Sequence, residues 1–196
     1  MPSRCFLALT LPDPVRLTVD SARETFLACA PVWAGEKWVA APLLHVTLAF
    51  LGALDDRAVE DGVRRMRDAA ARLPVFELRL ASIAAVPSPR RATMLWATLN
   101  DPGGILTGLR DELLVAFPCA GAAPDFRPLR PHITLARARS PRRVDLRASA
   151  AASAIVQAAG KGPDGVVSVR SATLFSSTLR PTGPEYREIA VAEFAR

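Results

Sequence analysis

The chain carries only two histidines, three cysteines and one tyrosine in 196 residues, and each scarcity removes a class of answer. Cys5, Cys29 and Cys119 are odd in number and far apart, with no Cys-x-x-Cys pair. That is neither a disulfide framework nor a zinc-knuckle spacing, so reduced thiols in a cytoplasmic compartment are expected. No apolar run approaches the roughly 20 residues a bilayer span needs. The short run from Cys5 to Leu11 is cut off by Pro12, Asp13 and Pro14, with no small-residue cleavage site after it. The expectation is a soluble, unexported protein with no membrane partner. It is also expected to be a monomer, since no heptad repeat or exposed apolar stripe calls for a second copy.

Half of the residues are hydrophobic and 22% are charged, which suits one globular domain or two small lobes sharing a core. Lysine occurs only as Lys37 and Lys161, so arginine supplies nearly all of the positive charge behind the net +6. That excess favours anionic partners such as RNA, nucleotides or phosphorylated metabolites. An Ala- and Arg-rich composition set by a GC-rich genome gives the same balance.

Alternation from Arg4 to Leu9 predicts a strand, and Asp13-Pro14 an N-cap ahead of a helix carrying Val15, Val19, Ala22 and Phe26 to about Cys29. Trp38-Val39 predicts a short extended piece, His45 to Phe50 a strand, and Asp55 to Leu73 a helix ended by Pro74. Phe76 to Leu80 and Met94 to Leu99 predict strands flanking the loop Pro87-Ser88-Pro89-Arg90-Arg91. Ile105, Leu109, Leu113 and Phe117 form a helical stripe, and a proline-punctuated stretch then leads into a strand at His132 to Ala136. The segment Arg137 to Arg147 reads as a basic loop and Arg147 to Ala159 as a short helix. Val166 to Thr178 and Tyr186 to Phe194 read as two strands of a closing hairpin.

The two histidines fall in His45-Val46-Thr47-Leu48-Ala49 and His132-Ile133-Thr134-Leu135-Ala136. The same Thr, Leu and Ala follow both histidines at the same offsets, about half a chain apart. This is a duplicated motif. On a strand, His and Thr share one face while the aliphatic residues between them share the other. Two related lobes, each presenting such a strand to a shared cleft, bring the polar faces together. Two imidazoles titrating near a pKa of about 6.5 can act as a general base and a general acid at neutral pH. The hydroxyls of Thr47 and Thr134 can donate to phosphate oxygens. A lone histidine in an apolar strand is more often a satisfied core residue, and threonine is favoured in strands anyway. The repeat is what singles out these four residues. A catalytic zinc normally takes a third protein ligand, which neither motif offers nearby, and only a distant carboxylate such as Asp125 could serve. A cysteine nucleophile lacks a neighbouring histidine in sequence.

These residues resemble the two-histidine phosphoesterases, and among them the bacterial and archaeal RNA 2′,3′-cyclic phosphodiesterases, historically called 2′-5′ RNA ligases. Their two His-x-Thr-x motifs are matched by His45-Val46-Thr47-Leu48 and His132-Ile133-Thr134-Leu135. The flanks are similar too: Leu44 before and Ala49-Phe50-Leu51-Gly52 after the first copy, Pro131 before and Ala136-Arg137 after the second. The opening Arg4 to Leu9 with Leu11-Pro12, the strand at Arg91 to Trp96, and the closing hairpin with Tyr186 extend the resemblance over nearly the whole chain.

The resemblance implies an α+β fold over residues 1–196, a single two-lobed domain with a pseudo-twofold axis. Each lobe is expected to line a central cleft with an antiparallel sheet and to pack its helices outside. It implies hydrolysis of 2′,3′-cyclic phosphates at RNA ends to 2′-phosphates, with no cofactor and no metal. His45 is implied as the acid protonating the departing 3′ oxygen and His132 as the base activating water. RNA with cyclic phosphate ends, or cyclic nucleotides, are the implied partners. Arg137 matches a position whose guanidinium lies near the substrate phosphate. Its odd offset from Thr134 puts it off the His and Thr face unless a bulge or strand end intervenes. Arg139, Arg142 and Arg143 read as general attraction for RNA or as solvated charge, and Arg90, Arg91, Arg127 and Arg130 as candidates for the cleft rim. Phe126 approaches the second motif through two extra prolines, so no base-stacking role is carried over to it. Two rival readings remain: reversible 2′-5′ ligation of RNA or tRNA halves, and a nucleotide- or RNA-binding module without turnover.

Overall fold

The computed structural model describes residues 3–117, 129–180 and 183–195. The strands are β1 (Ser3–Thr10), β2 (Lys37–Trp38), β3 (His45–Leu54), β4 (Phe76–Val86), β5 (Ala92–Asn100), β6 (His132–Arg142), β7 (Val166–Val169), β8 (Ser171–Arg180) and β9 (Gly183–Glu193). The helices are α1 (Asp13–Cys29), α2 (Asp56–Ala70), α3 (Ile105–Leu114) and α4 (Leu146–Gly160). Every strand belongs to one antiparallel sheet in the order β7-β4-β5-β6-β3-β1-β8-β9, with β2 added alongside β6. Read outward from its middle, the sheet has two matching halves, β3-β1-β8-β9 and β6-β5-β4-β7. In each, a strand, a helix and a second strand (β1-α1-β3 and β5-α3-β6) supply the two inner positions. The expected α+β pair of antiparallel lobes is thus present, joined as one sheet. The seam is a single residue pair, Val46 with Ile133.

The helices follow the apolar face. Helix α4 lies along β4 and α2 along β8 and β9, each over its own half. The crossover helices do the reverse: α1 packs on α4, and α3 packs on α2 and β3. Each half is therefore tied to the other by the helix that connects its inner strands. Beneath the helices lie Leu7, Leu9, Val46, Leu48, Leu95, Ile133, Leu135 and Leu174, all nearly inaccessible. Each contributes about 1.5–3 kcal/mol on burial.

Several boundaries differ from those the sequence suggests. Helix α1 begins at Asp13 itself, because Pro12, held extended at φ −69°, supplies the carbonyl that accepts from Arg16. Asp13 therefore complements the helix dipole from the first turn and does not cap it. Asp55 lies outside α2 as its cap, accepting from the Ala58 N–H at 2.8 Å. In α3 the buried stripe is Leu106, Leu109 and Leu113, with Ile105 exposed, because Asp101 accepts from the N–H groups of both Ile105 and Leu106 and sets the helix phase. The segment Val166 to Thr178 is two strands, β7 on β4 and β8 on β1, which lie in opposite halves of the sheet. The basic segment after Arg137 continues as strand to Arg142, since β5 pairs there through Ala92 and the buried Glu36 carboxylate accepts from the Arg139 N–H at 2.7 Å. Of the cysteines, Cys5 is buried and Cys29 exposed, while Cys119 lies outside the described residues. Among the described residues no helix is long and apolar enough to cross a membrane.

Candidate active site

The seam sets the geometry of the polar face. With Val46 opposite Ile133 in an antiparallel pair, and both buried, the neighbouring positions point the other way. His45 then stands across from Thr134, and Thr47 across from His132. The two histidines occupy one diagonal of a four-residue square and the two threonines the other. Such diagonal positions on facing strands lie about 7–8 Å apart, a gap that a phosphate group can bridge with its oxygens. All four side chains are half-buried.

Both imidazoles are held in the same way. His45 Nδ1 lies 2.7 Å from the Leu43 carbonyl and His132 Nδ1 lies 2.7 Å from the Arg130 carbonyl. A carbonyl only accepts, so Nδ1 is the protonated nitrogen in each ring. In the neutral ring this leaves the Nε2 lone pair unused. Burial lowers both histidine pKa values and the Arg137 charge lowers them further, against the raising effect of the carbonyl bonds. His45 is additionally opposed by charge on His132.

The surroundings of the two rings differ. His132 stacks on Trp96, ring centroids 3.7 Å apart at 20°. His45 lies against Phe6 at 5.2 Å and meets Tyr186 edge-on at 5.4 Å. The register explains the difference, for Trp96 pairs with Thr134 while its counterpart Ala8 pairs with Thr47. Burial raises the Tyr186 pKa, an effect the Arg137 charge partly offsets.

A bulge recurs at the same place in both halves. Between β1 and β3 the pairing passes from Ala8–Thr47 to Leu7–Ala49, and between β5 and β6 from Trp96–Thr134 to Leu95–Ala136. Leu48 and Leu135 are the extra residues, both turned into the core. The phase beyond them is reversed, so Arg137 opposes Met94 on the His and Thr face, and Phe50 opposes Phe6. Arg137 Nη1 approaches the Met94 sulfur at 3.1 Å. Arg137 and Phe50 are thus counterparts, which makes one wall of the site basic and the other aromatic.

The structure brings together His45, Thr47, His132, Thr134 and Arg137. Arg90, Arg91 and Arg130 are exposed at the margins. Asp125, Phe126 and Arg127 lie outside the described residues. Among the described residues no group of three or more His, Cys, Asp or Glu side chains converges as a metal site. Phe6 and Trp96, the rings against which the imidazoles rest, are the residues that motif reading passes over. Strand alternation, which sets Phe6 opposite in face to Leu7 and Leu9, is the signal that marks the first of them.

Paired His and Thr strands facing one cleft of a pseudo-symmetric antiparallel sheet define a two-histidine phosphoesterase. The family model of the 2′-5′ RNA ligase superfamily matches residues 11–179, and the chain belongs to that superfamily. Among its relatives, the RNA 2′,3′-cyclic phosphodiesterase of Escherichia coli (strain K12) is 32% identical over 136 residues, covering 69% of this chain and 72% of that protein. The enzyme of the same name from Methanothermobacter thermautotrophicus is 27% identical over 191 residues, covering 97% and 98%. In fold, a crystal structure of a Thermus thermophilus protein matches with a TM-score of 0.73 at 24% identity over 97% of both chains. E. coli LigT in its apo form matches at 0.69 and 23%, over 100% of this chain and 99% of that one. LigT has also been crystallised with phosphate and with 3′-AMP.

Proposed function

We propose that the chain is a phosphodiesterase that opens 2′,3′-cyclic phosphates at RNA ends by acid–base catalysis from His45 and His132, leaving a 2′-phosphate and a free 3′ hydroxyl. The observation that carries this reading is the diagonal pair of imidazoles. Each is fixed at Nδ1 by a carbonyl two residues earlier, and both Nε2 atoms serve the same phosphate-sized gap. The curated relatives, named RNA 2′,3′-cyclic phosphodiesterases, support it.

In this reading Nε2 of His132 takes a proton from water as the water oxygen bonds to phosphorus. Nε2 of His45, protonated, gives its proton to the 3′ oxygen as the bond from that oxygen to phosphorus breaks. This division of roles follows the family resemblance. Thr47 and Thr134 donate to the non-bridging oxygens, and the Arg137 guanidinium offsets the charge that builds on them. The Trp96 face against His132 favours the imidazolium formed there as the proton arrives. One proton shared between the two rings is the working state, and mutual repulsion of two imidazolium ions favours that state. With the 5′ hydroxyl of a second RNA in place of water, the same groups join it to phosphorus as a 2′-5′ diester and release the 3′ hydroxyl, the reaction for which the superfamily is named.

A short RNA ending in a 2′,3′-cyclic phosphate, incubated with enzyme in EDTA, tests the reading by product analysis. The expected outcome is conversion to the 2′-phosphate by the wild type and none by His132→Ala. Turnover lost to the chelator, or RNA binding with no product, would refute metal-free hydrolysis. We further assign the protein to the cytoplasm as a monomer, to be checked by cell fractionation and by light scattering.

A further inference from the structure

Carboxylates are absent from two stretches of this chain, residues 78–100 and 126–144, although 19 Asp and Glu occur overall. The stretches hold β5, β6 and β4 from Leu78 on, three of the four strands in the half of the sheet that carries His132, and Arg79 at the start of the first meets Glu77 just outside it. They also hold Arg90, Arg91, Arg137, Arg139, Arg142 and Arg143. Elsewhere arginines meet partners close in sequence: Arg16 with Asp13, Arg23 with Asp20, Arg64 with Asp61, and Arg180 with Glu185. Composition alone does not separate the two signs of charge in this way.

The fold gathers these arginines. Ala92 pairs with Arg142, and the Val144 N–H donates to the Pro89 carbonyl at 2.8 Å, so the β4–β5 turn with Arg90 and Arg91 sits beside the outer end of β6. On the other side of β6, Lys37 of β2 pairs with Arg137. The carboxylate that meets this surface is Glu36, and it is committed to the Arg139 backbone N–H and to the Arg142 guanidinium. Among the described residues Arg90, Arg91 and Arg143 make no ion pair with a carboxylate, and all three are exposed, while the Arg139 charge acts on Glu36. Arg137 and Arg142 pair with Met94 and Ala92, two residues apart on β5, so the segment between them bulges and Arg142 lies only about 7 Å from Arg137 along the sheet.

We propose that this surface is the track for the RNA strand leading to the cyclic phosphate, so that the preferred substrate is a polynucleotide and not a free cyclic mononucleotide. The proposal rests on the phosphodiesterase reading and adds the part of the substrate that reading leaves open. A cluster of exposed guanidinium groups, those of Arg90, Arg91 and Arg143, beside a phosphate-sized site suits the charge of a phosphodiester backbone.

The test compares wild type with the triple variant Arg90→Ala/Arg91→Ala/Arg143→Ala on 2′,3′-cyclic AMP and on a ten-nucleotide RNA with a cyclic phosphate end, across a potassium chloride series. The track predicts at least about a tenfold loss of kcat/KM on the RNA and less than about a twofold change on cyclic AMP. The slope of log kcat/KM against log salt on the RNA should become shallower by about 2, at about 0.7 for each single-strand phosphate that the variant no longer neutralises. The charge-matched control Arg57→Ala/Arg65→Ala/Arg72→Ala, on α2 and just beyond it, should leave both substrates unaffected. Equal losses on both substrates, no loss on either, or an equal effect of the control would overturn the track and leave the phosphodiesterase reading standing. Wild type inert on both substrates would sink that reading instead. Anisotropy with a 3′-phosphate RNA then decides the track, since undiminished binding by the triple variant overturns it.

Discussion

The Leu43 and Arg130 carbonyls that fix Nδ1 of His45 and His132 also determine how the pair responds to pH. Burial and the Arg137 charge place both folded values below the ordinary 6.5. The profile of kcat/KM is therefore expected to be a bell displaced to the acid side of 6.5, and Arg137→Ala should move both limbs upward, because removing a cation favours the imidazolium. Limbs unmoved in that variant would show that the guanidinium does not face the pair. The same shifts bear on folding. As pH falls below 6.5 the unfolded chain takes up protons before the native histidines do, so the histidine contribution to stability is full above 6.5 and is lost on acidification. Urea melts at pH 7 and pH 5 should differ in that direction, and by less in His45→Ala. At this scale the sequence exposes His45, Thr47, His132 and Thr134 because the motif occurs twice. It shows the stacking of Trp96 on His132 only once the register of β5 on β6 is known, since pairing across strands leaves no mark on either strand alone.

Among the elements, α4 is placed by contact with β4. A Cβ at Gly160 would lie 2.2 Å from the Leu80 carbonyl oxygen, so Gly160→Ala should lift the end of α4 from β4 and cost about 1–3 kcal/mol. Gly108, in α3, is exposed, and a Cβ added there would meet no described atom outside its own helix turn within 4 Å. Gly108→Ala should therefore stabilise by up to about 1 kcal/mol through helix propensity. Denaturant midpoints moving the same way in both variants would contradict these placements. Helix α2 is largely legible from apolar spacing and α4 from its run of alanines, while the acidic caps Asp55 and Asp145 emerge only in the structure. The strand after Arg137 is not, since arginine, serine and proline read as loop. What holds that segment as strand is β5 on one side and the Glu36 carboxylate on the other. Arg137 needs the bulge at Leu135 to reach the site, a condition its offset from Thr134 implies but whose location only the pairing shows.

In the whole molecule, two halves meet at Val46 and Ile133, and the site lies across that seam. The duplicated motif points to the pseudo-symmetry; that the halves form one sheet, with crossover helices packed over the opposite half, depends on long-range contacts that periodicity does not encode. Ile133 is fully buried, and Ile133→Ala should cost about 2–5 kcal/mol. It should also lower kcat in the variant that remains folded, because the spacing of the two histidines is set there. A stability loss with kcat intact would mean that the seam does not position the rings. The central claim is that His45 and His132 act as one acid–base pair. The most direct measurement is kcat/KM on a 2′,3′-cyclic phosphate substrate for His45→Ala, His132→Ala and the double variant, with folding checked by circular dichroism. Each single variant should lose at least about a hundredfold, and the double variant should lose little more than the worse single one, since either loss already disables the pair. Undiminished activity in either single variant, or strictly multiplicative losses in the double, would contradict it.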